Sequence, residues 1–228
     1  MTYRRIVVGT DGSDSADRAV VQAAWLCRRL GAELLVSHAY STPSDPHEGR
    51  TVGASILRDA CGRLDGPAPK ARLREGDAAS ALVGVAHEED ADLIVVGNRG
   101  LGTRRVLVGT VAAKVIGTAP CDVLVAHTSD RRPPEIASVL TGTDGSPTAA
   151  QAEAVGMGLA EALGAGHESV QVTGEDPAEG LARLATERGA DVVVVGNKGV
   201  IGARRFLTSV PSRVARGAPC HVLLVKTT

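Results

Sequence analysis

The segment Ile6-Val7-Val8-Gly9-Thr10-Asp11-Gly12-Ser13 sets the pattern for the whole chain. Its β-branched residues predict a short buried strand, and Gly-Thr-Asp-Gly-Ser predicts a turn at the carboxyl end of that strand. The same turn returns as Gly142-Thr143-Asp144-Gly145-Ser146, again after a short apolar stretch. A motif that recurs over this distance indicates a duplicated structural unit.

Two further motifs of the first half recur in the second half. Gly97-Asn98-Arg99-Gly100 returns as Gly196-Asn197-Lys198-Gly199, and Ala119-Pro120-Cys121 returns as Ala218-Pro219-Cys220. The opening motif recurs 133 positions later and the other two only 99 positions later, so the second copy has lost 34 residues. We expect the loss to cover the stretch that holds the strand Leu34–His38 and the helix Thr51–Leu64 of the first copy.

The chain is therefore predicted to form two domains, 1–130 and 135–228. The linker between them is Arg131-Arg132-Pro133-Pro134, because consecutive prolines interrupt both helices and central strands. The second domain is expected to lack one strand and one helix of the first.

Strands and helices alternate along both copies. In the first copy the predicted strands are Arg5–Gly9, Leu34–His38, Lys70–Arg74, Asp92–Gly97 and Asp122–His127, and the predicted helices are Ser13–Leu30, Thr51–Leu64, Ala78–Glu89 and Gly109–Gly117. In the second copy the predicted strands are Ser138–Gly142, Ser169–Thr173, Asp191–Gly196 and His221–Val225, and the predicted helices include Thr148–Leu163 and Ala178–Arg188. This alternation predicts an α/β fold of two flavodoxin-like or Rossmann-like domains with parallel sheets.

The bulk composition disfavours several kinds of partner. A formal net charge of −1 and an aromatic content of 2% argue against nucleic acid, which selects basic surfaces and stacking platforms. The apolar runs, such as Leu93–Val96, are far shorter than the roughly 20 residues of a membrane-spanning helix. No apolar leader precedes the first strand, so we expect a cytoplasmic protein without membrane partners.

The four cysteines are Cys27, Cys61, Cys121 and Cys220. They form no CxxC pair and lie far apart in the sequence, which disfavours a zinc site and favours reduced, buried thiols.

The glycine loop at Gly97–Gly100 follows an apolar strand, and Gly109-Thr110-Val111 opens the next helix. A helix start offers free N–H donors and the positive end of the helix dipole, which suits a di- or triphosphate. A lone GxxG is more often only a strand-to-helix turn. Here the loop recurs in the second copy, and Asp11 follows the neighbouring strand. Asp11 has two open interpretations, a ligand for ribose hydroxyls or a turn former.

These motifs together resemble the universal stress protein family. The resemblance rests on Ile6–Ser13, the Val-Val-Gly-Asn-Arg-Gly loop, the helix start at Gly109–Val111 and the Ala-Pro-Cys-Asp-Val-Leu-Val end, and it covers the chain twice. It implies a five-stranded parallel sheet in the intact domain, a role in stress response, dimerisation, and no established turnover beyond slow ATP hydrolysis in some members. The family includes members that bind ATP and members that bind no nucleotide.

The resemblance also implies a set of nucleotide contacts in the first domain. Gly9 and Asp11 would lie at the ribose, and the backbone around Ala39 would meet the adenine. Gly97 and Gly100 would line the ribose and phosphates. Gly109, Thr110 and Val111 would donate hydrogen bonds to the phosphates of ATP, which would themselves hold any Mg²⁺.

Two departures from the family pattern bear on this site. The segment Leu101–Val108 is one residue shorter than its counterpart in the ATP-binding pattern. Thr208 of the second copy stands where the first has Gly109, and we expect that copy to lack the strand that meets the adenine. The second domain is therefore predicted to bind nucleotide weakly or not at all and to be mainly structural.

Three functions follow as alternatives. The first is a regulatory module that binds ATP or another adenine nucleotide. The second is an interaction or scaffold protein of the same fold without nucleotide. In either case we expect self-association within or between chains through the terminal strands Asp122–Ala126 and His221–Val225. An enzyme is the weakest alternative, because no nucleophile, base and orienting group occur at recognisable spacing, and His38 and His87 are isolated.

Overall fold

The computed structural model describes residues 3–41, 46–98, 109–128, 135–198 and 209–227. The linker at 131–134 and two residues that matter to the predicted sites, Gly100 and Thr208, lie outside these ranges. Within them the chain is an α/β structure built from two repeats. We define the first repeat as strands β1 to β5 and the second as strands β6 to β9, with their helices.

The first repeat alternates strands and helices as the sequence predicts. Its elements are β1 (Arg5–Gly9), α1 (Asp14–Leu30), β2 (Glu33–Tyr40), α2 (Pro46–Gly62), β3 (Lys70–Glu75), α3 (Ala78–Glu88), β4 (Leu93–Gly97), α4 (Thr110–Thr118) and β5 (Asp122–Ala126). The Ser13 side chain caps α1 by accepting a hydrogen bond from the Ala16 N–H, and the helix ends at Gly31 with a φ of 68°. Such a left-handed residue is the usual C-terminal stop of a helix and favours glycine.

The second repeat follows the same order but is shorter. Its elements are β6 (Ser138–Gly142), α5 (Pro147–Leu163), β7 (Gly166–Val170), α6 (Pro177–Glu187), β8 (Val192–Asn197), α7 (Val210–Gly217) and β9 (His221–Lys226). Ser146 caps α5 as Ser13 caps α1, and Gly164 ends it with a φ of 70°. The duplicated sequence therefore gives duplicated helix ends.

The strands of the described ranges form one nine-stranded sheet in the order β3-β2-β1-β4-β5-β9-β8-β6-β7. Every neighbouring pair is parallel except β5 and β9, which are antiparallel at the centre. Leu124 pairs with Leu223, and the flanking pairs are Val123 with Leu224 and Val125 with Val222. Leu223 is the 99-residue equivalent of Leu124, so a pseudo-two-fold axis passes through this pair. The predicted pairing of the terminal strands within one chain is confirmed.

Each face of the sheet carries one continuous layer of helices over both repeats. Side chains of α1, α2 and α5 share one buried cluster, and side chains of α3, α4, α6 and α7 share the other. The strands between them are apolar on both faces, as in β8, where Val192 to Val194 are fully buried. This is the reason for their near-continuous valine sequence.

The missing strand is the counterpart of β3, and the prediction that the loss covered Leu34–His38 is wrong. Strand β7 pairs with β6 in the register Ser138 to Gly166, which repeats the register Arg5 to Glu33 at the same offset of 133. The predicted start of this strand at Ser169 was three residues late. Its polar sequence His-Glu-Ser hid the strand, although Leu163-Gly164-Ala165 repeats Leu30-Gly31-Ala32 immediately before it.

The polarity of β7 follows from the absence of a counterpart to α2. On the face that α2 covers in the first repeat, β2 carries Leu34 and Val36, which pack in the buried cluster. Their equivalents in β7 are His167 and Ser169. The His167 ring hydrogen bonds to Thr141 at 3.0 Å, and the Ser169 hydroxyl donates to Glu153 of α5. Polar side chains replace apolar ones where the covering helix is lost.

No helix in the described part of the chain is both long enough and apolar enough to cross a lipid bilayer.

Candidate functional site

A cleft lies at the carboxyl ends of β1, β2 and β4, where α4 begins. Its volume is about 130 Å³. Parallel α/β sheets bind ligands at this edge, because loops and helix N-termini converge there. The cleft is thus the candidate site of the first repeat.

Seven of the eight residues predicted for the site line this one cleft. They are Gly9, Asp11, Ala39, Gly97, Gly109, Thr110 and Val111. The eighth, Gly100, belongs to the part of the chain that the structure does not describe. Residues up to 102 positions apart in the sequence, from Gly9 to Val111, are thereby brought to one place.

Seven further lining residues were not predicted for the site, although Thr10 and Val96 stand within the quoted motifs. They are Thr10, Ala16, Ser37, Ala78, Leu82, Val96 and Ala112. Leu82 and Ala78 come from α3, which the sequence motifs did not connect with the site. The small residues among them keep the cleft open, and only their position in the fold gives them this role.

The first turn of α4 lines the cleft. Gly109 is the N-cap, and no side chain caps the helix there. The Gly109 N–H donates to the Asn98 carbonyl at 3.2 Å, which fixes the start of the helix against the end of β4. Thr110, Val111 and Ala112 follow and line the cleft. The N–H groups of a first turn have no partner within their own helix, so this end suits an anion.

Asp11 serves as a turn former at the tip of β1 and also lines the cleft. Its Oδ1 atom accepts a hydrogen bond at 3.0 Å from the N–H of Ser13, the N-cap of α1. Both interpretations of this residue from the sequence are thus compatible with its position.

The floor of the cleft is apolar and tightly packed. A side chain at Gly9 would place its Cβ 3.1 Å from the Leu82 side chain, which explains the glycine at the end of β1. The neighbouring Thr10 is held by its N–H, which donates to the Ser37 carbonyl at 2.9 Å. His38 lies beneath, with Nδ1 2.8 Å from the Thr10 carbonyl. His38 is buried, as expected for an ordinary packed histidine.

A buried polar network holds the end of β4. Asn98 Oδ1 accepts hydrogen bonds from the Thr128 N–H at 3.0 Å and the Thr128 hydroxyl at 2.7 Å. The Thr128 hydroxyl also lies 2.6 Å from the Ser15 hydroxyl of α1. The second residue of the Gly97-Asn98-Arg99-Gly100 loop is therefore a structural anchor between β4, β5 and α1.

An ion pair lies at the start of α3, next to the cleft-lining Ala78. Lys114 Nζ of α4 is 3.1 Å from Asp77 Oδ2. Hydrogen bonds from the Ser80 backbone and from Lys114 lower the pKa of the Asp77 carboxyl. The second repeat keeps this pair as Arg213 and Asp176, at 2.6 Å.

The described residues contain no metal cluster, and two of the cysteine thiols have a strongly raised pKa. No group of three or more His, Cys, Asp or Glu side chains arranged to hold a metal ion occurs among them. None of the four cysteines forms a disulfide, and burial raises the pKa of Cys27 and of Cys121 to about 12. Thiols of such high pKa are poor nucleophiles near neutral pH.

Five of the fourteen positions equivalent to the cleft lining carry larger residues in the second repeat. In place of Ser37, Ala39, Ala78, Gly109 and Ala112, the second repeat has Val170, Val172, Pro177, Thr208 and Pro211. Gly142, the equivalent of Gly9, has less room, since a Cβ there would lie 2.7 Å from the Leu181 side chain.

The sequence profile of the family described as "Universal stress protein family" matches the chain twice, over residues 2–127 and 125–226. The chain belongs to the universal stress protein family. A universal stress protein of Mycobacterium tuberculosis is 38% identical over 148 residues, covering 56% of this chain and 98% of the relative. One of Thermus aquaticus is 37% identical over 136 residues, covering 55% of this chain and 99% of the relative.

Two solved structures extend the comparison. A universal stress protein from Archaeoglobus fulgidus superposes with a TM-score of 0.81 and 16% identity, covering 97% of this chain and 96% of that one, and shows that the tandem fold is known. A universal stress protein in complex with cAMP has 36% identity and a TM-score of 0.50, covering 57% of this chain and all of that one.

Proposed function

We propose that this universal stress protein is a cytoplasmic stress-response regulator that binds ATP or another adenine nucleotide in the cleft of its first repeat. The observation that carries the proposal is the convergence of three features in one cleft. These are the uncapped first turn of α4, the acidic tip of β1 at Asp11, and the end of β2 at Ala39.

In the proposed complex the adenine lies near Ala39 and Leu82, where the lining is apolar. Asp11 accepts hydrogen bonds from the ribose hydroxyls, and Gly97 allows the backbone of β4 to approach the sugar. The N–H groups of Thr110, Val111 and Ala112 and the Thr110 hydroxyl donate to the phosphates. Mg²⁺, where present, is held mainly by the phosphates, because hard cations prefer oxygen ligands.

The second repeat, proposed to extend over 135–228, is mainly structural. Its helix α7 carries Pro211 where α4 has Ala112, so one N–H group of the first turn is absent. The hydroxyl of Ser209, the equivalent of Thr110, lies 2.9 Å from the Ser212 hydroxyl. Both changes weaken this helix start as a phosphate site.

The relative crystallised with cAMP supports an adenine nucleotide as the ligand class. The identity of the phosphate group is a separate question, because cAMP carries one phosphate and ATP three. We expect the triphosphate to bind more tightly, since several donors at the start of α4 are available to it.

Calorimetric titration of the purified chain with ATP, ADP, AMP and cAMP tests the proposal. We expect one binding site per chain and at least a tenfold loss of affinity in Asp11→Ala. Ala39→Val should weaken binding several-fold by filling the adenine end, whereas the matched variant Val172→Ala should leave both affinity and stoichiometry unchanged. Absence of heat with every nucleotide would reject the proposal and favour the interaction-protein alternative.

A further inference from the structure

Helix α4 touches the second repeat at the end opposite to the cleft. The Asn197 side-chain N–H group donates to the Ile116 carbonyl at 3.3 Å, and Lys226 Nζ donates to the Ala119 carbonyl at 2.9 Å. Ile116 lies in the last turn of α4, and Ala119 is its C-cap. Two donors from the second repeat thus satisfy carbonyl groups at the end of this helix.

Helix α4 provides no cation of its own at its C-terminal end. It has nine residues, no side-chain cap at its start and no basic residue in its last turn. Its equivalent α7 carries Arg216 in its own last turn. A short helix is marginal by itself, and a cation at its C-terminus stabilises it. Lys226 is the cation that the sequence of α4 does not provide.

Asn197 makes a different hydrogen bond from its equivalent Asn98. Asn98 accepts from Thr128 within its own repeat. The equivalent threonine is Thr227, whose hydroxyl is buried and has no hydrogen-bond partner among the described residues. Instead, the Asn197 side chain reaches α4 of the first repeat. A buried hydroxyl without a partner lowers the stability of the folded state. The second repeat therefore departs from the hydrogen bonding of the first at Thr227, and its Asn197 contacts α4.

We infer that Asn197 and Lys226 of the second repeat are positioning residues for the phosphate end of the cleft in the first repeat. This inference rests on the proposed function. The two residues hold the carbonyl end of α4, and the ligand phosphates take up the N–H end. Because the helix is ordered before the ligand arrives, less of the binding free energy is spent on ordering it. The shortened second repeat therefore contributes to the site without contacting the ligand.

The test compares ATP with adenosine in the full-length chain. We expect Asn197→Ala to weaken ATP binding about fivefold and Lys226→Met about twofold, with adenosine affinity changed less in each case. Lys226→Arg should restore ATP affinity, because it restores the cation. A residue that only supports the fold would change adenosine and ATP affinity equally.

Arg188→Met is the matched control for the loss of one positive charge. Arg188 pairs with Glu168 on the surface of the second repeat. ATP affinity equal to wild type in both Asn197→Ala and Lys226→Met, or an equal loss in Arg188→Met and Lys226→Met, would overturn the inference.

Hydrogen exchange of the ligand-free protein separates this inference from the proposed function. In Asn197→Ala we expect the amides of α4 to exchange several-fold faster than in wild type, while those of α3 remain unchanged. If α4 exchanges faster in Asn197→Ala but the wild-type protein binds no nucleotide, only the proposed function is rejected. Unchanged exchange of α4 would reject the positioning role, whatever the wild-type protein binds.

Discussion

Helices α4 and α7 begin within one residue of equivalent positions in the two repeats, yet their first turns differ in what they offer to an anion. The first turn of α4 runs through Thr110, Val111 and Ala112, all with N–H groups, whereas the equivalent segment of α7 contains Pro211. The end of β2 differs in the same direction, because Ala39 corresponds to the larger Val172, two residues after β7. Larger or donor-free residues at the same backbone positions thus distinguish the repeat that we propose to bind nucleotide from the repeat that we propose to be structural.

The comparison also shows which side chain fills the place of the cleft in the second repeat. The residue equivalent to Ala81 is Gly180, and a Cβ at Gly180 would clash with the Val172 side chain. The larger valine and the smaller glycine therefore form a complementary pair. Val172 packs against the core at the place where the first repeat has its cleft.

The largest effect is expected from giving the first repeat the proline of the second. Ala112→Pro should lower ATP affinity about 20-fold, because it removes one N–H donor that the phosphate needs, and hydrogen bonds to charged groups contribute about 1.5–3 kcal/mol. Proline is tolerated in the first turn of a helix, so the melting temperature should change little. Calorimetry measures the affinity.

The matched variant Pro211→Ala should leave the stoichiometry at one nucleotide per chain. A second site in this variant would mean that proline alone separates the two repeats. Unchanged affinity in a correctly folded Ala112→Pro protein would show that the amide of residue 112 takes no part in binding.

A smaller effect, on stability, is expected from breaking the complementary pair in the second repeat. Gly180→Ala should destabilise the protein by about 1.5 kcal/mol, since overpacking outweighs the gain in helix propensity. Urea unfolding measures the change. Adding Val172→Ala recreates the alanine pair of the first repeat, and the double variant should be more stable than the sum of the single changes predicts. Additive effects would show that the two side chains do not interact.

The smallest effect concerns pH and the junction between the repeats. Asp122 accepts hydrogen bonds from the Tyr3 hydroxyl at 2.7 Å and from the Lys226 N–H at 2.8 Å. The equivalent position in the second repeat is His221, whose Nδ1 accepts from the His127 N–H at 3.0 Å. Burial raises the pKa of the Asp122 carboxyl above its ordinary value of 3.8, although both hydrogen bonds oppose the rise.

Because the pKa of Asp122 is higher in the folded than in the unfolded state, the folded state binds this proton more tightly. Its contribution to stability is thus fully present below pH 3.8 and is lost as the pH rises through the raised pKa. In Asp122→Asn this loss should disappear, so the stability of the variant relative to wild type should increase from pH 3.5 to pH 7. A constant difference over this range would contradict the assignment.

Much of the architecture could be predicted from local sequence. The caps Ser13 and Ser146 and the terminal glycines Gly31 and Gly164 fix the helix ends, because helices leave the same unpaired groups in any protein. The motif residues of the candidate site were also predictable, since loops after parallel strands meet at one edge of the sheet. The strand β7 was misplaced, because its polarity reflects a helix that is absent from its neighbourhood.

By itself, the sequence determined the duplication, the alternation of strands and helices, and the residues at the carboxyl ends of β1 and β4. These features depend on contacts between near neighbours in the chain and on repeated motifs. The tertiary structure alone decided that Leu82 of α3 lines the cleft and that the Asn197 side chain donates a hydrogen bond to α4. Each of these depends on which side chains meet across distant segments, and that follows from the packing of the whole chain and leaves no local pattern in the sequence.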